Sequence, residues 1–194
     1  MDAFFGLLLG MVLVIAAVWA RSRYLGFPGQ RPEDYSDTET SFDIREHLNG
    51  DILCEGVIFG PTGRISSRFV ADMHATWDND KGSVTEKFRY SSGETQDREW
   101  HLSVVSDGKF VATADDIIGA GKGTQLGSGV RLEYRIKLPE HAGGHVLDVI
   151  DWMYLVDNGT IMNRSQFRKF GIKVAELVAT MRPVEQSGER REAA

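Results

Sequence analysis

The sequence predicts an all-β fold, an antiparallel barrel of about nine or ten strands, preceded by a short helical strap and one transmembrane helix. Three observations carry this prediction. An uncharged apolar run lies near the N-terminus, a two-residue hydrophobic period runs from residue 51 to about 170, and turn signals recur at the intervals of an antiparallel meander. So many amphipathic strands would leave exposed edges in an open sheet, and closure into a barrel removes those edges.

The apolar run covers residues 3–20 and contains no charged side chain. As a helix it would extend about 27 Å, nearly the thickness of a bilayer's hydrocarbon. We predict a transmembrane anchor over residues 1–23, which ends with Arg21 and Arg23. A cleaved signal peptide is the alternative, because Val18-Trp19-Ala20 loosely fits a cleavage site, but no Lys or Arg precedes the run, which favours the anchor.

The rest of the chain divides into three parts by composition. Residues 24–41 are rich in proline, glycine and short polar side chains and predict a linker that lets the domain stand off the membrane. Residues 42–183 form the predicted barrel domain. Residues 184–194 are charged, lack large apolar side chains after Val184, and predict a disordered tail.

A helical strap is predicted immediately before the first strand. Phe42, Ile44 and Leu48 can share one face of a short helical turn, and Asn49-Gly50 supplies residues that commonly end a helix. We expect this strap to act as a plug or cover for the barrel.

The clearest strand is RLEYRIKL, in which Leu132, Tyr134, Ile136 and Leu138 alternate with charged residues, as a sheet with one wet face requires. The last segment is ambiguous. IKVAELVATM, residues 172–181, fits a helix and also a strand; we favour the strand, whose inward residues would be Ala175, Leu177, Ala179 and Met181.

Composition argues against several classes of function. The chain has 28 acidic and 22 basic residues, and the basic residues are scattered, so nucleic acid is not an expected partner. Cys54 is the lone cysteine and cannot form an internal disulfide; a small buried thiol is expected. The glycine-rich loop 119–129 lacks the spacing of a phosphate-binding loop and predicts a hairpin.

The sequence contains no recognisable catalytic motif, and we predict no catalytic residue, metal site or cofactor. His141 and His145 bracket a short loop without further convincing zinc ligands nearby. Asp148 and Asp151 interrupt an apolar strand. A buried carboxylate needs a partner, and we expect Arg164 or Arg168 on the next strand to provide it, with a ligand-headgroup site as the alternative.

Inward-facing aromatic side chains suit an apolar cavity, although a filled core is the open alternative. A register error of one residue would invert every face. The predicted lining is Trp77, Phe88, Tyr90, Trp100, Tyr134 and Trp152, with Asp116, Asp151 and Arg164 as polar ligand contacts.

Five segments resemble a bacterial family catalogued as domain of unknown function 3833. They are FDIREHLNG, RFVADMHATWD, FRYSSGETQDREW, TADDIIGAGKG and DWMYLVDNGTIMNRSQFRKFGIKVAEL. The resemblance covers residues 33–183 and implies a lipocalin-like, calycin-type barrel that is associated with the cell envelope, because many relatives resemble exported lipoproteins. It carries no activity, catalytic residue or ligand with it. No cysteine follows the apolar run here, so the helix itself would replace lipid attachment.

The predicted location is the inner membrane, with a single span. Exported relatives favour a periplasmic domain, whereas Arg21 and Arg23 after the helix favour the cytoplasm, so both sides stay open.

Three functional hypotheses follow. The leading one is a non-enzymatic, membrane-tethered binding protein for a small apolar or amphipathic, lipid-like ligand. The second is a structural module whose filled barrel docks an envelope protein of unknown identity. The third is an enzyme that uses carboxylates such as Asp115, Asp116 or Asp151.

Overall fold

Alternating inward and outward side chains build ten strands between Gly50 and Pro183 in the computed structural model, which describes residues 2–38 and 40–184. The strands are β1 Gly50–Phe59, β2 Ile65–Asp78, β3 Lys81–Tyr90, β4 Thr95–Ser106, β5 Lys109–Thr113, β6 Gly121–Leu126, β7 Gly129–Lys137, β8 Val146–Leu155, β9 Ile161–Lys169 and β10 Ile172–Pro183. Each strand pairs antiparallel with its neighbours in sequence, and β1 pairs with β10, which closes the barrel. The predicted antiparallel barrel is confirmed.

The last strand resolves the ambiguity of the C-terminal segment. Ile172–Pro183 is a strand that pairs with both β9 and β1. Ala179 and Met181 are buried in the core, and Ala175 and Leu177 face the same interior, as the strand interpretation predicted.

The helical strap closes one end of the barrel. Helix α2, Ile44–His47, begins after Asp43, whose carboxylate accepts a hydrogen bond from the Arg45 amide at 2.8 Å. Ile44 is 0% exposed, and Phe42 and Leu48 are also buried. The indole of Trp77 donates to the Leu48 carbonyl at 2.7 Å and fixes the strap to β2. The predicted strap is confirmed, and it lies as a plug at this end, called here the closed end.

The opposite end of the barrel is called here the mouth. It is formed by the connections β1–β2, β3–β4, β5–β6, β7–β8 and β9–β10, since consecutive strands of the meander turn alternately at the two ends. The strap packs only at the closed end, where the Phe42 amide donates to the Gly127 carbonyl at 2.8 Å.

Residues 24–38, the described start of the predicted linker, lie along the outer wall of the barrel. This stretch, called here the wall segment, contains two short 3-10 helices, Phe27–Gly29 and Pro32–Tyr35. The Tyr35 ring lies 5.2 Å from the Trp152 ring, and the side-chain oxygen of Gln30 accepts a hydrogen bond from the Tyr154 hydroxyl at 2.7 Å. A side chain at Gly127 would overlap the Tyr35 carbonyl. These contacts pack the wall segment on the barrel, and its role in holding the domain away from the membrane stays a prediction.

Helix α1 covers Asp2–Tyr24 and carries Arg21 and Arg23 in its last turn. Its part from Ala3 to Tyr24 is long and apolar enough to cross a membrane, a property that signal sequences share. Of the predicted disordered tail, residues 184–194, the structure describes Val184, and residues 185–194 lie outside the described residues.

The closed end provides a test of the strap. Replacing Ile44 by Ala removes a fully buried side chain, and we expect the free energy of unfolding to fall by about 2–5 kcal/mol. Chemical denaturation of both proteins measures the loss. Ile65→Ala is the matched control, because Ile65 is 44% exposed, and a loss as large as that of Ile44→Ala would contradict the role of the plug.

Candidate ligand cavity

The barrel encloses a cavity of about 650 Å³, which is within the range of small-molecule sites. It runs from Ile44 and Leu48 at the closed end to Glu94, Pro139 and Ala142 at the mouth. Its walls are mostly apolar. Between the two ends it is lined by Cys54, Ile58, Ser66, Ser67, Phe69, Met73, Val84, Glu86, Phe88, Tyr90, Gln96, Arg98, Trp100, Leu102, Phe110, Asp116, Leu132, Tyr134, Ile136, Leu138, Leu147, Asp151, Met153, Asn163, Ser165, Phe167, Ala175, Leu177 and Met181.

Aromatic rings form two groups on the cavity wall. Phe88 stacks on Tyr90 with ring centroids 5.9 Å apart, and Phe69 meets Phe88 edge to face at 5.4 Å. Trp100 and Tyr134 form a second edge-to-face pair at 5.3 Å. Such pairs hold their rings in fixed positions and give the cavity a shaped apolar wall.

The guanidinium of Arg98 lies between the Trp100 ring and the carboxylate of Asp116. Arg98 donates from Nε and Nη2 to one oxygen of Asp116 at 3.1 and 3.0 Å. The Cζ atom of the Arg98 guanidinium lies 4.0 Å from the centre of the Trp100 ring. The Arg98 guanidinium therefore already has two partners, the Asp116 carboxylate and the face of the Trp100 ring.

Glu86 is the most unusual polar group of the cavity. Its carboxylate is buried, with 9% of the residue exposed, and its Oε2 atom has no hydrogen-bond partner in the part of the chain that the structure describes. The nearest cation is Nη1 of Arg98, at 3.9 Å from that oxygen. Burial raises the pKa of Glu86 to about 7, although the charge of Arg98 opposes the shift.

Asp151 is a second carboxylate on the cavity wall, and it is partly buried. Its Oδ1 accepts hydrogen bonds from Ser165 at 2.8 Å and from Asn163 at 2.5 Å. Burial nevertheless raises the pKa of Asp151 to about 6. The prediction that Arg164 or Arg168 pairs with this carboxylate is wrong, because its hydrogen-bond donors are the neutral side chains of Ser165 and Asn163 on β9.

Many of the predicted ligand contacts line the cavity. They are Phe88, Tyr90, Trp100, Tyr134, Asp116 and Asp151. The structure brings them together on one interior surface, and their role in ligand binding stays a prediction.

Trp152 and Arg164 do not line the cavity, which corrects the prediction for both. Neighbouring residues of a strand point to opposite faces, so Trp152 faces outward because Asp151 faces inward. Trp152 is buried under the Tyr35 ring. Arg164 is also on the outer face, where it binds Glu176 at 2.6 Å and lies 4.8 Å from the centre of the Phe27 ring.

Trp77 shares the interior face of β2 with Phe69 and Met73 but does not reach the cavity wall. Its ring covers Gly82 of β3, where a side chain would collide with it, and its indole is bonded to the strap. The prediction that Trp77 lines the cavity is therefore corrected to a structural position at the closed end.

Glu86 and Arg98 were missed by sequence reasoning, although a signal was present. Glu86 has the same alternation as Phe88 and Tyr90, and Arg98 has that of Trp100. A charged residue at a strand position that alternation places on the inward face therefore indicates a polar site in the interior.

Cys54 is buried on the cavity wall, as predicted for a small thiol, and burial raises its pKa to about 12. Within residues 2–38 and 40–184, no group of three or more His, Cys, Asp or Glu side chains is arranged to hold a metal ion. The Nδ1 atom of His145 lies 3.0 Å from Nζ of Lys169, and the side chain of His141 lies outside the description.

Comparison with known proteins places this geometry in a class. A family model described as "Protein of unknown function (DUF3833)" matches residues 23–183, and its fold here is a lipocalin-like barrel. The chain belongs to this family. Both the predicted family and the predicted lipocalin-like fold are confirmed.

Two solved structures share the fold at low sequence identity. The S-type phycobiliprotein lyase CPES from Guillardia theta is 10% identical with a TM-score of 0.58, and the match covers 81% of this chain and 99% of that one. Rv2717c from M. tuberculosis is 17% identical with a TM-score of 0.52, and the match covers 72% of this chain and 94% of that one. Among curated proteins, none matches this sequence.

The raised pKa of Glu86 has a consequence for stability. Because the pKa in the folded state, about 7, is above the ordinary value of 4.5, the folded protein binds a proton more tightly. Stability is therefore lost as the pH rises from about 4.5 to about 7, and the loss persists above that. We expect Glu86→Gln to raise the free energy of unfolding at pH 8 by about 3 kcal/mol relative to the unmodified protein. Denaturant unfolding of both proteins at pH 5 and pH 8 measures the change.

Asp97→Asn is the control for this measurement, because Asp97 is an exposed carboxylate on the outer face of the same strand as Arg98. A gain at pH 8 that is equally large in Asp97→Asn would assign the effect to net charge and contradict the assignment to Glu86.

Proposed function

We propose that the protein is a non-enzymatic, membrane-tethered binding protein for a small apolar or amphipathic, lipid-like ligand at the bacterial cell envelope. The observation that carries the proposal is the cavity, which combines mostly apolar walls with one interior polar cluster. Walls of this kind bury the apolar part of a ligand, and a few polar groups fix its orientation. The alternative of a filled, partner-docking barrel is disfavoured by the empty volume of about 650 Å³.

Helix α1 supplies the membrane partner in this proposal. Arg21 and Arg23 lie in its last turn, and the first strand of the barrel begins at Gly50. We place the helix in the inner membrane and the barrel in the periplasm, in keeping with the exported relatives that the family resemblance implies. The two arginines support the cytoplasmic side as the alternative.

A specific observation favours an enzyme as the second candidate. Glu86, with a pKa of about 7, shares the cavity with Asp116 and Asp151, and a carboxyl group that titrates near neutral pH suits general acid–base chemistry. Conversion of a compound extracted from the purified protein into a new product, and its loss in Glu86→Gln, would favour this candidate over simple binding.

Blocking the cavity tests the binding function. Ala175 faces the cavity from β10, and Ala175→Trp would fill part of it. We expect this variant of the full chain to lose most of its affinity for an uncharged apolar fluorescent probe, N-phenyl-1-naphthylamine, and to yield less organic-extractable compound when purified from bacterial cells. Fluorescence titration and mass spectrometry of the extract measure the two effects.

Thr180→Trp is the matched control, because Thr180 is on the outer face of the same strand. Equal binding and equal extract in both variants and the unmodified protein would contradict a ligand site inside the barrel.

A further inference from the structure

The polar cluster of the cavity has an excess of negative charge. Among the lining residues that the structure describes, Arg98 is the single basic side chain, against four acidic ones. Glu94 lies at the mouth, and Arg98 faces the other three, Glu86, Asp116 and Asp151. Arg98 is already bonded to Asp116 and packed on Trp100. A ligand carboxylate would therefore meet like charges without a free cation to pair with, which is costly in a buried site.

One acceptor in this cluster has no hydrogen-bond partner among residues 2–38 and 40–184. It is the Oε2 atom of Glu86, which is buried in a residue that is 9% exposed. Leaving a buried acceptor unpaired is unfavourable, and a ligand group that donates to it removes this cost. The cluster is therefore complementary to a hydrogen-bond donor and above all to a cation.

We infer that the ligand is an amphiphile whose head donates hydrogen bonds, a long-chain amine in chemical class, with its head against Glu86 and its chain along the aromatic wall. This inference rests on the proposed binding function and narrows the class of ligand. Fatty carboxylates of the same length are expected to be poor ligands, because Asp116 already neutralises Arg98.

The test compares three probes that differ only in the head group: dodecylamine, dodecanol and dodecanoate. Each competes with the uncharged fluorescent probe N-phenyl-1-naphthylamine for the full chain in lipid nanodiscs. We expect dodecylamine to bind at least about tenfold more tightly than dodecanoate, and Glu86→Gln to abolish most of this preference. Asp97→Asn, which removes an exposed carboxylate outside the cavity, is the control that retains the preference.

The outcomes separate this inference from the function on which it rests. Binding of dodecanoate as tight as that of dodecylamine, or a preference that persists in Glu86→Gln, would overturn the inference and leave the binding function intact. Failure of all three probes to compete would overturn both.

A second, independent observation concerns the orientation of the barrel. The wall segment descends from the mouth towards the closed end: Phe27 and Pro28 share a surface groove with Gln166 and Arg168 near the mouth end of β9, whereas Phe42 reaches the closed end. Helix α1 therefore joins the barrel at the mouth. The same groove is lined by Val14, Val18 and Trp19 of α1 on one side and by Gly171, Ile172 and Lys173 on the other.

The tip of the β9–β10 hairpin is apolar and exposed. Phe170 is 91% exposed and Ile172 is 70% exposed, between the basic residues Lys169 and Lys173. Phe170 also has a φ of +53°, followed by Gly171 at +79°. Two-residue turns with positive φ at both positions favour Asn-Gly, so an exposed Phe here is a poor choice for the turn itself.

The geometry points to this hairpin tip as a second membrane contact, which inserts beside α1 into the bilayer that α1 spans and holds the mouth against the lipid surface. Phe170 would lie among the acyl chains and the flanking lysines would meet lipid phosphates. A ligand would then pass between bilayer and cavity without crossing bulk water. This proposal depends on the membrane tether of the proposed function and does not depend on the head group of the ligand.

The depth of a fluorescent label tests the orientation. Phe170→Cys at the mouth and Asn158→Cys at the closed end, each combined with Cys54→Ala, are labelled in the full chain and reconstituted in phosphatidylcholine–phosphatidylglycerol vesicles. We expect spin-labelled lipid to quench the label at position 170 strongly and the label at position 158 weakly. Equal quenching, or the reverse order, would overturn the proposal, while binding of N-phenyl-1-naphthylamine by the same proteins reports separately on the cavity.

Phe170→Asn separates a membrane role from a role in the turn. Asn accepts the positive φ, so we expect a higher unfolding midpoint together with slower transfer of dodecylamine from vesicles into the cavity. A more stable variant with unchanged transfer would overturn the membrane contact.

Discussion

The pairing of the first strand with the last is the constraint on which the rest of the molecule depends. Residues Ile52 to Phe59 pair with Pro183 to Glu176 and convert a ten-strand meander into a closed wall. Both strands contribute side chains to the interior, among them Cys54 and Ile58 from β1 and Leu177 and Met181 from β10. Without this pairing the cavity would be open along its whole length and two rows of backbone groups would face water.

Closure also explains why charged groups persist in the interior. A closed sheet excludes water from its inward face, so Glu86 is buried and Asp151 is partly buried, although each belongs to an amphipathic strand. Asp151 satisfies one carboxylate oxygen with Ser165 and Asn163, whereas Glu86 keeps an unpaired oxygen. That difference distinguishes a carboxylate held by the protein itself from one left available for another molecule.

The fold could be predicted from the sequence because the period of two is regular along most of the chain. The site was only partly predictable by the same rule. Phe88 and Tyr90 were placed inside correctly, but Asp151 and Trp152 were both assigned to the cavity, although adjacent strand residues cannot share a face. The same rule applied to charged positions would have added Glu86 and Arg98.

Tertiary cover was beyond the reach of a periodic pattern. Strand β8 is apolar on both faces apart from Asp148 and Asp151, so some segment has to cover its outer face, but the pattern does not identify that segment. The structure places Tyr35 on Trp152 and Tyr154, while the strap fills the end of the barrel. Both segments contain a few apolar residues among polar ones, so local composition does not reveal which surface each segment covers.

The pairing of β1 with β10 has a further consequence for biosynthesis. The two strands are separated by nearly the whole domain, so the last hydrogen bonds of the wall wait until the ribosome has released residues beyond Met181. Helix α1 emerges long before that. Any chain that terminates early would retain the apolar helix but present an unsealed sheet, and such a product would be recognised by proteases and chaperones through its unpaired edges.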